Sequence, residues 1–244
     1  MASKRKKSRA TPRLNEQCVH EILNGIRLGR LRPGQRLSEI ALSAQLKVGR
    51  AAVRVAFDRL SWAGLLERVS RSGTYVREIS RSDYDKLMEL RMSLEGVAAA
   101  KACKRMSEVE MKRFRQVAAR LDELGAKVDR RLNETPESLE QDYAELHELE
   151  REFHRGLIRS SGNQYILQIM DNYHLLERSF LMGMGFPGGD PFCRRNVPQH
   201  KDIANALSRR NPALAERAVH RHYQLLKKDL TARFGRDRAV KSSR

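Results

Sequence analysis

The chain has 244 residues, 40% hydrophobic and 32% charged, with a formal net charge of +18. That length suits one large domain or two modest ones with a real core, and no apolar run approaches a membrane span. The first nine residues are basic, but no apolar stretch follows them; they do not read as a secretory signal, and the expected location is the cytoplasm, with no membrane partner.

The charge is unevenly spread. Residues 1–80 hold 17 Lys and Arg against 6 Asp and Glu, a net +11, whereas residues 81–244 hold 31 against 24, a net +7 over twice the length. A basic segment attracts phosphates and releases their condensed counterions, so double-stranded nucleic acid is the first partner to consider. Cys18, Cys103 and Cys193 are odd in number and far apart. This argues against a disulfide framework or a zinc ribbon and for buried thiols.

In chain order, residues 1–10 lack an apolar pattern and are expected to be a disordered basic arm. From Leu14 to Leu28, Val19, Ile22, Leu23 and Ile26 recur at helical spacing, and Gly29 and Pro33-Gly34 end the helix. Ser38 is an N-cap for a helix to about Leu46; Lys47-Val48-Gly49 forms a turn, and a second helix runs from Arg50 to about Ala63. The period then changes. Leu65–Val69 and Thr74–Arg77 read as two short strands joined by a tight loop at Ser70–Gly73. This order predicts a winged helix-turn-helix over residues 11–79.

Ser80–Asp83 signals a further helix start. Apolar stripes then follow: Leu87, Leu90, Leu94, Val97 and Ala98; Met111, Phe114, Val117, Ala118 and Leu121; and, after Thr135-Pro136, Tyr143, Leu146, Leu149 and Phe153. A helix is expected from Tyr165 to Met182, a Gly- and Pro-rich loop from Gly183 to Pro191, and helices over Pro198–Leu207 and Pro212–Leu230. The predicted fold is mainly α: a winged helix-turn-helix, an all-helical bundle over 80–235 and a flexible tail over 236–244.

The second helix of a helix-turn-helix presents its N-terminal residues to the major groove. Here Arg50 and Arg54 share a face, while Ala51 and Ala52 are small enough for close approach. Arginine pairs bidentately with guanine and also grips phosphate. A solvated charged face is the alternative. Pro33–Glu39, Leu46–Arg54, Arg59-Leu60, Gly64-Leu65 and Ser72–Val76, in that order, resemble the GntR family of regulators over residues 14–78. The resemblance implies DNA contact by Arg50, Arg54 and the wing residue Gly73, with Arg36 and Ala51 completing the expected set. Two departures stand out: Gly49 where the family often has Ser or Thr, and Ile40 where many members have Arg.

In the second half, Glu150 and His154 are four residues apart on one helix face, and His200 and His222 lie on later helices. Three imidazoles and a carboxylate suit a divalent transition metal, although a lone histidine is more often a plain core or surface residue, as His20, His147, His174 and His220 are read. Phe153-His154, Ser161-Gly162-Asn163, Gln199-His200 with Ile203 and Leu207, and His222 resemble the ligand-sensing domain of the FadR branch, an FCD-type domain. That resemblance implies a metal, zinc or nickel, held by Glu150, His154, His200 and His222, which in turn binds a small organic acid. Metal-binding members usually carry Asp where this chain has Glu150. It also implies that Arg91, and less strongly Arg178, clamps the effector carboxylate; a homodimer on a palindromic operator; and repression as the default. Two rivals remain: a helical metal-dependent hydrolase or lyase with a basic appendage, and a DNA-coating protein without a ligand. The first lacks a recognisable general base or nucleophile, and the second does not need a histidine set.

Overall fold

The computed structural model describes residues 10–28, 30–131, 136–175 and 192–241, and the chain divides into two compact units, Met1–Ile79 and Ser80–Arg244. Residues 1–9, the expected loop at Gly183–Pro191 and Arg178 lie outside the described residues.

The first unit contains α1 (Ala10–Arg27), β1 (Arg36–Leu37), α2 (Glu39–Leu46), α3 (Arg50–Trp62), β2 (Leu66–Val69) and β3 (Gly73–Val76). Helix α1 buries Cys18, Val19, Ile22, Leu23 and Ile26, and α3 buries Val53, Ala56, Phe57 and Leu60, so the two apolar stripes close on each other. Ser38 caps α2 by accepting a hydrogen bond from the Ala41 N–H at 3.3 Å. The turn to α3 needs Lys47 in the left-handed region, φ 53°. Gly64, at φ 73°, ends α3 where a side chain would be strained. The sheet has the order β1-β3-β2 and is antiparallel throughout, with Arg36 opposite Tyr75 and Glu67 opposite Tyr75 on the other side. Strand β1 was not expected from sequence, because two residues are too short to show a period of two. Ala52, expected to ease groove approach, is buried in the core, while Ala51 is exposed.

The second unit contains α4 (Arg81–Arg105), α5 (Glu108–Arg130), α6 (Pro136–Ser160), α7 (Gln164–Asn172), α8 (Phe192–Ser208) and α9 (Pro212–Lys241). Capping boxes open α4 and α5: Ser80 pairs reciprocally with Asp83, and Ser107 with Glu110. Helix α9 packs on α4 and α8, α5 packs on α6 and α8, and α6 packs on α4. No helix is long and apolar enough to cross a membrane among the described residues.

Four expectations change. The buried face of α4 is Tyr84, Leu87, Met88, Arg91, Glu95, Ala98, Ala99, Ala102 and Cys103, so Leu87 and Ala98 of the expected stripe face inward, whereas Leu90 and Val97 are 43% and 45% exposed. The leucines misled because Arg91 and Glu95 look like surface residues until their partners are known. The expected long helix from Tyr165 stops at Asn172, where Tyr173 leaves helical geometry and His174 adopts φ 46°. Helix α8 starts at Phe192 and carries Pro198 in its interior; proline was read as a first-turn residue because its missing N–H costs nothing there. Helix α9 continues to Lys241, through most of the expected flexible tail.

Removing the Ser80 hydroxyl breaks one half of its capping box. Ser80→Ala is expected to destabilise the protein by about 1 kcal/mol, measured as a shift in the urea midpoint, with no change in metal content.

Candidate functional site

The centre of the helical unit collects side chains from three helices. Glu150 and His154 are one turn apart on α6, His200 lies on α8, and His222 lies on α9. The ligating atoms of the three histidines lie within 4.8 Å of one another. His154 Nε2 is 3.3 Å from His200 Nε2, and Glu150 Oε2 is 3.3 and 3.2 Å from these same two nitrogens. The three rings are nearly or wholly buried, and the Glu150 side chain keeps 22% exposure. Phe153 stacks on Phe114 at 4.3 Å and meets the His200 ring edge-on at 4.7 Å, forming an apolar wall.

Beneath this cluster lies Glu95 of α4, with no exposure. Its Oε2 accepts from His154 Nδ1 at 2.5 Å, and its Oε1 accepts from Tyr223 OH at 2.6 Å and Arg91 Nε at 3.1 Å. The Arg91 guanidinium also stacks over the Tyr223 ring, 5.2 Å from its centroid. With the Nδ1 proton of His154 committed to Glu95, the Nε2 lone pair is the one that faces Glu150 and His200. A carboxylate behind a ligating imidazole is the arrangement that fixes tautomer and raises ligand basicity.

The electrostatics are consistent with this division. Burial favours the neutral acid at Glu95, but His154 and Arg91 outweigh it and hold the carboxyl well below its usual range. Burial likewise opposes ionisation of Glu150 and is overcome by His200 and His154. For His154, burial opposes the charged form, and Glu95 and Glu150 outweigh it, raising the pKa. Burial, together with His200 and His154, pushes His222 well below its usual value, so it is neutral at pH 7. A neutral imidazole is the form that ligates.

These residues fit a divalent transition ion. Three imidazoles and one carboxylate are a donor set such ions favour. The Nδ1 atom of His222 is buried without a hydrogen-bond partner among the described residues, an energetic cost that ligand or solvent contact would relieve. The longer Glu150, in place of the usual Asp, still reaches two of the histidine nitrogens.

Of the sequence-predicted residues, the structure brings together Glu150, His154, His200 and His222, and places Arg91 against them through Glu95. The carboxylate that Arg91 meets here belongs to the chain itself. His147 is buried on α6 and His220 is 3.9 Å from Glu216; neither joins the cluster. Sequence reading missed Glu95 and Tyr223. The available signal was an Arg-Glu pair at i, i+4 along the stripe Tyr84, Met88, Ala98, Ala102.

In the first unit, Arg50, Ala51 and Arg54 are exposed at the start of α3, which Gly49 opens without a side-chain cap. Arg54 is held by Glu39 of α2 at 3.0 Å. Arg36 is exposed on β1 and lies over Gly73, where an added Cβ would come within 3.0 Å of its Nε. With Arg68 and Arg71 it rims a concavity at the wing.

A winged helix-turn-helix joined to a helical unit with a buried histidine–carboxylate centre is the architecture of a transcription regulator. The chain belongs to the gntR family of bacterial regulatory proteins, whose model matches residues 14–76, with an FCD domain matching residues 86–225. It is a DNA-binding transcriptional regulator and not an enzyme. It is 33% identical over 137 residues to the Nta operon transcriptional regulator of Aminobacter aminovorans, a match covering 56% of this chain and 59% of that one. It is 26% identical over 201 residues to the probable D-xylose utilization operon transcriptional repressor of Paenarthrobacter nicotinovorans, covering 82% of this chain and 81% of that one. Among solved structures, Escherichia coli McbR/YncC shares the fold at a TM-score of 0.71 and 19% identity, over 91% of this chain and 98% of that chain.

Two substitutions probe the buried carboxylate. Glu95→Gln is expected to lower zinc affinity about 10- to 100-fold, as loss of a partner behind a ligand does, read by competition with a chromophoric chelator. Glu95→Leu removes the carboxylate shared by the buried Arg91, Tyr223 and His154, and a loss of about 3–5 kcal/mol of stability is expected in denaturant titration.

Proposed function

We propose that this protein is a metal-dependent, carboxylate-responsive repressor, with residues 11–79 binding DNA and residues 80–235 binding effector and forming a homodimer. The observation that carries the reading is the convergence of His154 Nε2, His200 Nε2 and the Glu150 carboxylate, with His222 alongside, over a buried Glu95. Glu150, His154, His200 and His222 would hold zinc or nickel. A bound divalent ion supplies a Lewis-acidic position for an oxygen of a small organic acid. Glu95 keeps His154 in one tautomer, Phe153 shields the His200 ring from water, and Glu150 offsets positive charge. Arg91 acts through Glu95, whose charge it stabilises.

In the DNA-binding unit, Arg50 and Arg54 are the base- and phosphate-reading residues, with Arg36 and Gly73 at the wing and Ala51 permitting close approach. A symmetric dimer presents two such helices to a palindromic operator about one helical turn apart. Effector binding regulates only if one arrangement of the dimer binds the acid more tightly than the other.

Metal content of the purified protein tests the centre. Near one ion per chain is expected in wild type, and none in His200→Ala; no ion in either after incubation with zinc or nickel would overturn the metal reading. For the DNA unit, selection from random duplexes followed by titration gives the operator and its affinity. Arg50→Ala is expected to cost about 1–3 kcal/mol of operator binding, and an unchanged affinity would remove Arg50 from the interface.

A further inference from the structure

Helices α8 and α9 leave a polar groove between them with a volume of about 400 Å³. One wall is Gln199, Asp202 and Asn205 of α8 with Arg209 just beyond its end; the other is Arg217, Arg221 and His222 of α9. On α9 the lining residues Leu214, Arg217, Ala218, Arg221 and His222 recur at i, i+3, i+4, i+7 and i+8, so a single helix face builds that wall. The two helices are antiparallel neighbours. The groove therefore runs from the histidine centre, marked by His222 and by Gln199 beside His200, toward the turn at residues 209–211. Its length is ~15 Å, the rise of ten helical residues.

Three features distinguish this groove from an ordinary solvated face. Arg209, Arg217 and Arg221 converge on it from both walls, against Asp202 as the acidic lining residue, and none of the three is ion-paired with a described residue. Four other arginines of this unit are ion-paired: Arg113 with Glu152, Arg120 with Glu145, Arg155 with Asp171, and Arg210 with Glu108. Finally, His222 at the inner end is 3% exposed, and its Nδ1 has no hydrogen-bond partner. A concavity lined by guanidinium groups that no described carboxylate pairs concentrates positive potential where an anion can enter.

We propose that this groove is a second anion subsite, and that the effector is a small acid with two anionic groups: one carboxylate at the histidine centre and the other held by Arg217 and Arg221. The inference rests on the effector reading above, and it narrows the ligand class from carboxylates to dianionic acids. Arg221 is adjacent in sequence to His222, and Arg217 lies one turn further along the same face, so a short carbon chain spans the interval. The planar fork of each guanidinium suits a carboxylate or a phosphate equally.

The test compares succinate with butyrate, which has the same carbon count but lacks the second carboxylate, by calorimetry on zinc-loaded full-length protein. Succinate is expected to bind at least about tenfold more tightly, the effect of one charged hydrogen bond. R217Q/R221Q is expected to bring succinate down to the affinity of butyrate while metal content and unliganded operator affinity stay the same. Inorganic phosphate, titrated in the same way, distinguishes a phosphate-preferring site: phosphate binding that is lost in R217Q/R221Q also supports the subsite. Equal affinities for succinate and butyrate in wild type, without such phosphate binding, overturn the proposal; so does succinate binding that R217Q/R221Q leaves unchanged. A drop in operator affinity in R217Q/R221Q without any acid also overturns it, by assigning the arginines to DNA phosphates. If wild type binds no metal, the metal reading fails by itself, and the groove is still judged by whether succinate binding depends on Arg217 and Arg221.

Discussion

A fully buried carboxylate organises the helical half of this protein. Glu95 sits in the middle of α4, where an unpaired charge would cost several kcal/mol. It is tolerated because Arg91, Tyr223 and His154 all donate to it. Those three donors lie on α4, α9 and α6, so satisfying one charge fixes the relative placement of three helices. The same interaction orients His154. Structural satisfaction and functional orientation are therefore one set of hydrogen bonds.

The surrounding packing follows from this demand. Helix α4 packs along α9 and approaches it closely at Gly96, where an added Cβ would come within 2.7 Å of His220 Nε2. Phe114 and Phe153 fill the opposite side, so the histidines stand between an apolar wall and an ionic floor. Burial with His200 and His154 pushes His222 to the neutral form, whereas at His154 Glu95 and Glu150 outweigh burial and favour the charged one, two imidazoles in one cluster with opposite tendencies.

The DNA-binding half is built on simpler terms. An apolar stripe on α1 meets one on α3, and the short sheet pairs β1 and β2 to either side of β3, aiming the wing loop. Arg54 is braced by Glu39 across the helix-turn-helix, which also lowers the pKa of Glu39, while Arg50 has no such brace. The pair can thus play different roles, one pre-positioned and one free to adapt.

From the sequence alone came the order of elements, the helix-turn-helix with its wing, the caps at Ser38 and Ser80, and the set Glu150, His154, His200 and His222. Each of these rests on local periodicity, on short-range hydrogen bonding, or on a resemblance carried by ordered motifs. What only the tertiary structure decided was which residues become buried partners. Arg91 was expected to meet an effector carboxylate, and Glu95 and Tyr223 carry no signal of their own, since burial of the Glu95 charge depends on donors from α6 and α9, 59 and 128 residues away. The inward face of α4 was misjudged for the same reason: leucine at 90 and valine at 97 are apolar, yet the carboxylate and its guanidinium partner take the interior, because a satisfied ion pair there holds three helices together.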